Sequence, residues 1–113
     1  MHKAIPDKIR IGYQDVRVMI TDSMTERALE DSNGFYHSKR SEIVIAREQD
    51  TREIVNTVIH ECLHAIFFTY GMREIVDDKE KEEYIVNTLG NGLTQIFLEN
   101  PDFLEWVRSN LEP

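Results

Sequence analysis

The sequence predicts an α+β domain, with a small sheet in its first half and helices in its second. Three observations carry that expectation. Before residue 46 the apolar residues sit in short, strand-length runs, as in "RIGYQDVRVMIT" and "EIVIA". After residue 50 they recur at helical spacing, through Ile54, Val55, Val58, Ile59, Cys62, Leu63 and Ile66. A helix-start signal precedes that second run, and Gly71, a natural helix stop, follows it.

Taken in order, "RIGYQDVRVMIT" reads as one strand, with Val16 and Val18 on one face and Gln14 and Arg17 facing elsewhere. In "TDSMTERALEDS", Ser23 and Glu26 have the spacing of a capping box, and Ala28 and Leu29 form a narrow apolar stripe, which predicts a short helix. Asn33-Gly34 marks a turn. A short strand through Phe35 and Tyr36, a polar loop and a strand from Glu42 to Ala46 complete a short antiparallel sheet. Asp50 and Glu53 are a second capping box and open the helix that runs to Gly71. "DDKEKEEYIVNTLGNGLTQIFLEN" is a further helix, acidic at its start as the helix dipole prefers, with Gly90 and Gly92 expected to weaken its middle. Pro101 suits the first turn of a short last helix, whose Phe103, Leu104, Trp106 and Val107 are expected to close the core.

Composition removes several classes of function. The 113 residues suffice for one domain, spanning 1–113, with a single modest core. A net charge of -8, from 21 acidic and 13 basic residues, repels phosphate backbones, so nucleic acid is not an expected partner. No apolar run approaches the roughly 20 residues that span a bilayer, so no membrane is expected either. "MHKAIPDKIRIG" has no apolar core before a small-residue cleavage site, and no secretory signal is read there. A single cysteine, Cys62, fits a reducing compartment, and the expected location is the cytoplasm.

The chemistry lies in "VIHECLHAIF", residues 58–67. On a helix His60 and His64 stack on one face, about 40° apart, and can take adjacent corners of a zinc tetrahedron. Glu61 is about 100° around from His60, too poorly directed to join the same ligand set but placed to hold a water beside the metal. Cys62, about 200° from His60, faces the core and is rejected as a ligand. A catalytic zinc needs a third protein ligand. "EEYIVN" offers one: Glu83 and Asn87 share a face of the following helix, where Glu83 can reach the metal. Asn87 can accept a hydrogen bond from the outer nitrogen of either histidine and support it from outside the ligand set. Glu82, displaced by about 100° from Glu83, is expected to face solvent.

"HECLH" followed by "EYIVN" resembles the gluzincin zinc peptidases, whose pattern is HExxH plus a glutamate in ExxxD or ExxxN. The small size, and a hairpin before the first site helix, look most like the minigluzincins and the small ImmA/IrrE-type metallopeptidases often encoded by phages and mobile elements. The resemblance covers roughly residues 34–98. It implies a zincin-like domain, a zinc cofactor held by His60, His64 and Glu83, Glu61 as catalytic glutamate and Asn87 as support. It also implies an edge strand over the cleft that pairs with extended substrate, a place occupied here by Ile43, Val44, Ile45 and Ala46. Larger gluzincins carry a further His or Tyr that stabilises the oxyanion. Tyr36, His37, Tyr70 and Tyr84 have the chemistry for it, and packing or plain exposure is the expected role of each. In some minigluzincins a terminal segment covers the cleft, which gives "ENPDFLEWVRSNLEP" a second reading as a latency device.

The expected function is hydrolysis of peptide bonds in a protein or peptide substrate, with Glu61 as general base toward a zinc-activated water. The competing reading is a zinc-stabilised binding module, or a latent peptidase, acting through protein contacts. Glu61 favours the enzyme, because a purely structural zinc site has no use for it and tends to be closed by a fourth side chain.

Overall fold

In the computed structural model, which describes residues 4–22 and 32–112, a four-stranded mixed sheet is followed by three helices, an α+β arrangement. The strands are β1 (Lys8–Ile11), β2 (Gln14–Thr21), β3 (Gly34–His37) and β4 (Glu42–Ala46), in spatial order β1-β2-β4-β3. The helix expected around Ser23, Glu26, Ala28 and Leu29 lies outside the described residues.

Where a single strand was expected over "RIGYQDVRVMIT", the chain forms a hairpin. Ile11 pairs with Gln14 across a two-residue turn in which Gly12 has φ +58°. A Cβ on Gly12 would lie 2.4 Å from Thr69 Cγ2, so only glycine lets the turn press against the end of the first helix. Val16 faces the core as expected, and Gln14 joins it: the Gln14 amide oxygen accepts hydrogen bonds from Tyr36 at 3.2 Å and Ser41 at 2.8 Å.

The sheet also corrects the expected edge. β4 pairs in parallel with β2 on one side and antiparallel with β3 on the other, so Ile43, Val44, Ile45 and Ala46 are central and cannot receive a further strand. All five β4 residues are buried. Ile43 and Ile45 pack with Ile11, Val16 and Ala65, while Val44 and Ala46 pack with Phe35. An unbroken apolar run is the signature of a strand covered on both faces, and "IVIA" carries it. The edge strand next to the helices is β3.

Helix α1 (Thr51–Thr69) starts at the predicted box: the Asp50 carboxylate accepts from the Glu53 amide at 2.9 Å, and the Glu53 carboxylate from the Asp50 amide at 3.1 Å. Such a cap stabilises the helix by about 1 kcal/mol. Ile54, Val58, Cys62 and Ala65 turn toward the sheet. The helix ends at Tyr70, and Gly71, with φ +77°, leads into a short 3-10 turn at Met72–Glu74.

Helix α2 (Lys79–Glu99) runs through Gly90 and Gly92 without a break. Its inward stripe is Glu82, Val86 and Gly90, spaced i, i+4, i+8, and Gly90 lies against His60 and Leu63 of α1. Asn56 ties the helices further, donating to Asn91 at 3.2 Å and Thr94 at 3.1 Å. Helix α3 (Pro101–Leu111) buries none of its residues. Phe103, Leu104 and Trp106 remain exposed, so α3 does not close the core as expected. Among the described residues no helix is long and apolar enough to cross a membrane.

Candidate metal centre

A cleft of about 840 Å³ opens between the β3 strand, the middle of α1, the segment from Arg73 to Lys79 and the start of α2. β3 sits close above α1 because Gly34 has no side chain: a Cβ there would meet Thr57 Cγ2 at 2.8 Å and the Val44 carbonyl at 2.9 Å. No α3 residue lines this cleft, so that helix does not lie across it.

His60, His64 and Glu83 converge on the cleft floor, each offering a ligand atom within 4.8 Å of the others. His60 Nε2 is 3.2 Å from His64 Nε2, and the Glu83 carboxylate bridges them, Oε1 at 2.8 Å from His60 Nε2 and Oε2 at 3.1 Å from His64 Nε2. Zinc–nitrogen bonds of about 2.05 Å in a tetrahedron set neighbouring ligand atoms about 3.3 Å apart. The nitrogen–nitrogen separation of 3.2 Å is close to that value, Glu83 sets one oxygen near each nitrogen, and two imidazoles with a carboxylate are a donor set that zinc accepts. Burial pushes the His60 imidazole pKa down, Glu83 pulls it partly back and His64 lowers it again, so the net shift favours the neutral form with a free nitrogen lone pair.

Glu61 stands beside this group rather than in it, its carboxylate 4.0 Å from His60 Nε2. The residue is 4 % exposed. Burial, reinforced by the nearby Glu83, pushes its carboxyl up to about 8. A cation among the three ligand atoms opposes that shift and favours the carboxylate. Cys62 packs on the sheet side of α1, as expected, and burial followed by Glu61 pushes its thiol up to about 11.

Two expectations fail here. Asn87 is on the cleft wall but exposed, and no hydrogen bond joins it to either histidine. Glu82, expected in solvent, is 7 % exposed and takes that place: its Oε2 lies 2.6 Å from His64 Nδ1. Burial opposes ionisation of Glu82, but hydrogen bonds from Arg73 and His64 outweigh it and hold the carboxyl below its ordinary range. An ionised carboxylate only accepts, so His64 Nδ1 carries the proton and Nε2 is left to face His60 and Glu83. The signal was present in the sequence: Val86 and Gly90 mark an inward stripe of α2, and Glu82 is its next member toward the N-terminus.

The possible oxyanion groups separate clearly. Tyr36 lines the cleft but donates its hydroxyl to Gln14. Tyr70 and Tyr84 are exposed, and neither they nor His37 line the cleft. Models of protein families, curated proteins and solved structures were each compared with this chain, and none of the three comparisons finds a match.

Proposed function

We propose that this chain is a small, cytoplasmic, zinc-dependent metallopeptidase of gluzincin type. One observation carries the reading: His60, His64 and Glu83 bring their ligand atoms together under a sheet edge, with the buried Glu61 carboxylate 4.0 Å away. His60, His64 and Glu83 would hold the zinc, which supplies Lewis acidity to polarise a peptide carbonyl and to acidify water. Glu61 takes a proton from the attacking water and returns it to the departing amine. Its burial excludes competing solvent around that transfer.

The substrate is an extended stretch of protein or peptide. β3 is paired only on its β4 side among the described residues, and its other edge borders the cleft. Substrate main chain added there gains backbone hydrogen bonds that place its carbonyl over the histidines. This assigns to Gly34, Phe35 and Tyr36 the role first expected of Ile43–Ala46.

Elemental mass spectrometry on the native chain, His64→Ala and Glu83→Ala tests the metal. One zinc per native chain, lost in both variants, is the expected result, and a native chain that takes up no zinc when it is offered refutes the reading. Glu61→Gln is expected to keep its zinc and lose peptidase turnover, because it removes a base and no ligand. Loss of zinc in that variant would reverse the assigned roles.

A further inference from the structure

Arg73 lies outside the HExxH motif and outside the ligand group, yet one carboxylate joins it to both. Its Nε donates to Glu82 Oε1 at 2.9 Å and its terminal amino group to Glu82 Oε2 at 3.0 Å, a two-point grip. Glu82 Oε2 is also the atom that accepts from His64 Nδ1. On its other side the guanidinium carbon stands 5.7 Å over the Phe68 ring, so Arg73 is held in place from α1 as well.

On the zinc reading above, we propose that Arg73 and Glu82 are a positioning pair: Arg73 fixes the plane of the Glu82 carboxylate, and Glu82 fixes the His64 ring with Nε2 turned to the metal. The burial of Glu82 distinguishes this from an ordinary surface ion pair, which contributes little. A carboxylate with so little access to water has to be partnered within the protein. Arg73 supplies two of its hydrogen bonds and His64 the third. Without the guanidinium nothing holds both oxygens, and the support on His64 Nδ1 loses its direction. Arg73 therefore sets metal affinity from the cleft wall, acting only through Glu82.

Zinc dissociation constants, measured by competition with a chromophoric chelator at fixed pH, test the pair. The chains compared are native, His64→Ala, Arg73→Ala, Arg73→Lys, Glu82→Ala and the Arg73→Ala/Glu82→Ala double variant. Loss of Glu82 is expected to weaken binding 10- to 100-fold, as loss of a carboxylate behind a ligating histidine does. Arg73→Ala is expected to weaken it about 10-fold, Arg73→Lys less, and the double variant no more than Glu82→Ala alone, since one residue acts through the other. Visible spectra of the cobalt-loaded chains should shift in Arg73→Ala and in Glu82→Ala, a change in ligand geometry that a general loss of stability does not produce. Melting of the metal-free chains identifies any variant that fails to fold; if Arg73→Ala is one, Arg73→Lys carries the comparison.

An Arg73→Ala affinity within twofold of native overturns the proposal, and so do losses that multiply in the double variant. With zinc bound by the native chain and lost in His64→Ala, either result leaves the metal reading standing. A native chain that binds no zinc refutes both.

Discussion

Gly90 looks in the sequence like a flaw in a helix, and the structure turns it into a measurable prediction. It is buried where α2 crosses α1, and a Cβ there would lie 3.7 Å from Leu63 Cδ1, 3.8 Å from His60 Cα and 4.0 Å from His60 Cβ, all ordinary contact distances. Gly90→Ala therefore displaces nothing. It gains about 0.8–1 kcal/mol of helix propensity and about 0.8 kcal/mol for a methyl group buried between the helices. Gly92, with nothing within 4 Å of its added Cβ, is the internal control and gains the propensity alone. For a chain of this length about 1 kcal/mol raises the melting temperature by roughly 4 °C, so about 7 °C is expected for Gly90→Ala and about 4 °C for Gly92→Ala. Circular dichroism melting with a chelator present measures both. Zinc affinity should be unchanged in each, because neither methyl moves His60. Gly90→Leu, in contrast, has to push α1 and α2 apart and should lose zinc. A Gly90→Ala that melts at or below the native temperature, or that binds zinc more weakly, refutes this account of the helix crossing.

Three further outcomes follow from the same geometry. Asn87→Ala should leave the zinc dissociation constant within about twofold of native, because Asn87 bonds neither histidine; a tenfold loss in the chelator competition would restore it as the support that Glu82 displaces. In the metal-free protein the Glu61 carboxyl keeps its proton up to about 8, against an ordinary 4.5, so between those values the folded state binds the extra proton and stability falls as pH rises, by up to about 1.4 kcal/mol per pH unit. Urea midpoints from pH 5 to 8 should show that slope in the native chain and less of it in Glu61→Gln; parallel curves would refute it. Truncation after Glu99 removes a helix that buries none of its residues and lines no part of the cleft, so the shortened chain should fold and bind zinc as the native one does. An unfolded product would give α3 back its expected place in the core.

The parts of the fold that were legible in the sequence are those governed by neighbours along the chain. The Asp50–Glu53 box is satisfied within four residues, and the run from Ile54 to Ile66 repeats with the helix itself, so α1 formed where it was expected. The convergence of His60, His64 and Glu83 was legible for a related reason: residues four apart share a helix face, and the proposed third ligand restricts which faces can meet. The misreadings concern choices that local pattern leaves open. The alternation in "RIGYQDVRVMIT" changes phase between Tyr13 and Val16, a break that the single-strand reading passed over and that the turn at Gly12 explains. "EIVIA" reads equally as an edge or a centre until the parallel pairing with β2, set by residues far away in sequence, encloses it. Glu82 was placed in solvent from its displacement of about 100° from Glu83, whereas the stripe it shares with Val86 and Gly90 turns inward, and Arg73, nine residues earlier, meets it there.

Glu82 and Glu83 show how little room the site leaves. A helix turns about 100° between neighbouring residues, so adjacent carboxylates point apart. Here they nevertheless reach the same side chain, Glu82 at His64 Nδ1 and Glu83 at His64 Nε2. That is possible only because the imidazole lies between them, its two nitrogens on opposite sides of the ring. The arrangement requires α2 to approach α1 closely and in one rotational phase. The lack of a large side chain at Gly90 permits the approach, and the buried Val86 and Glu82 on the same stripe set the phase. A one-residue slip of α2 would put one glutamate in the other's place and leave the second position to Lys81 or Tyr84, so the proposed ligand and its support could not both be kept. Packing between the two helices and the chemistry of the centre are therefore a single constraint, written in residues 82, 83, 86 and 90.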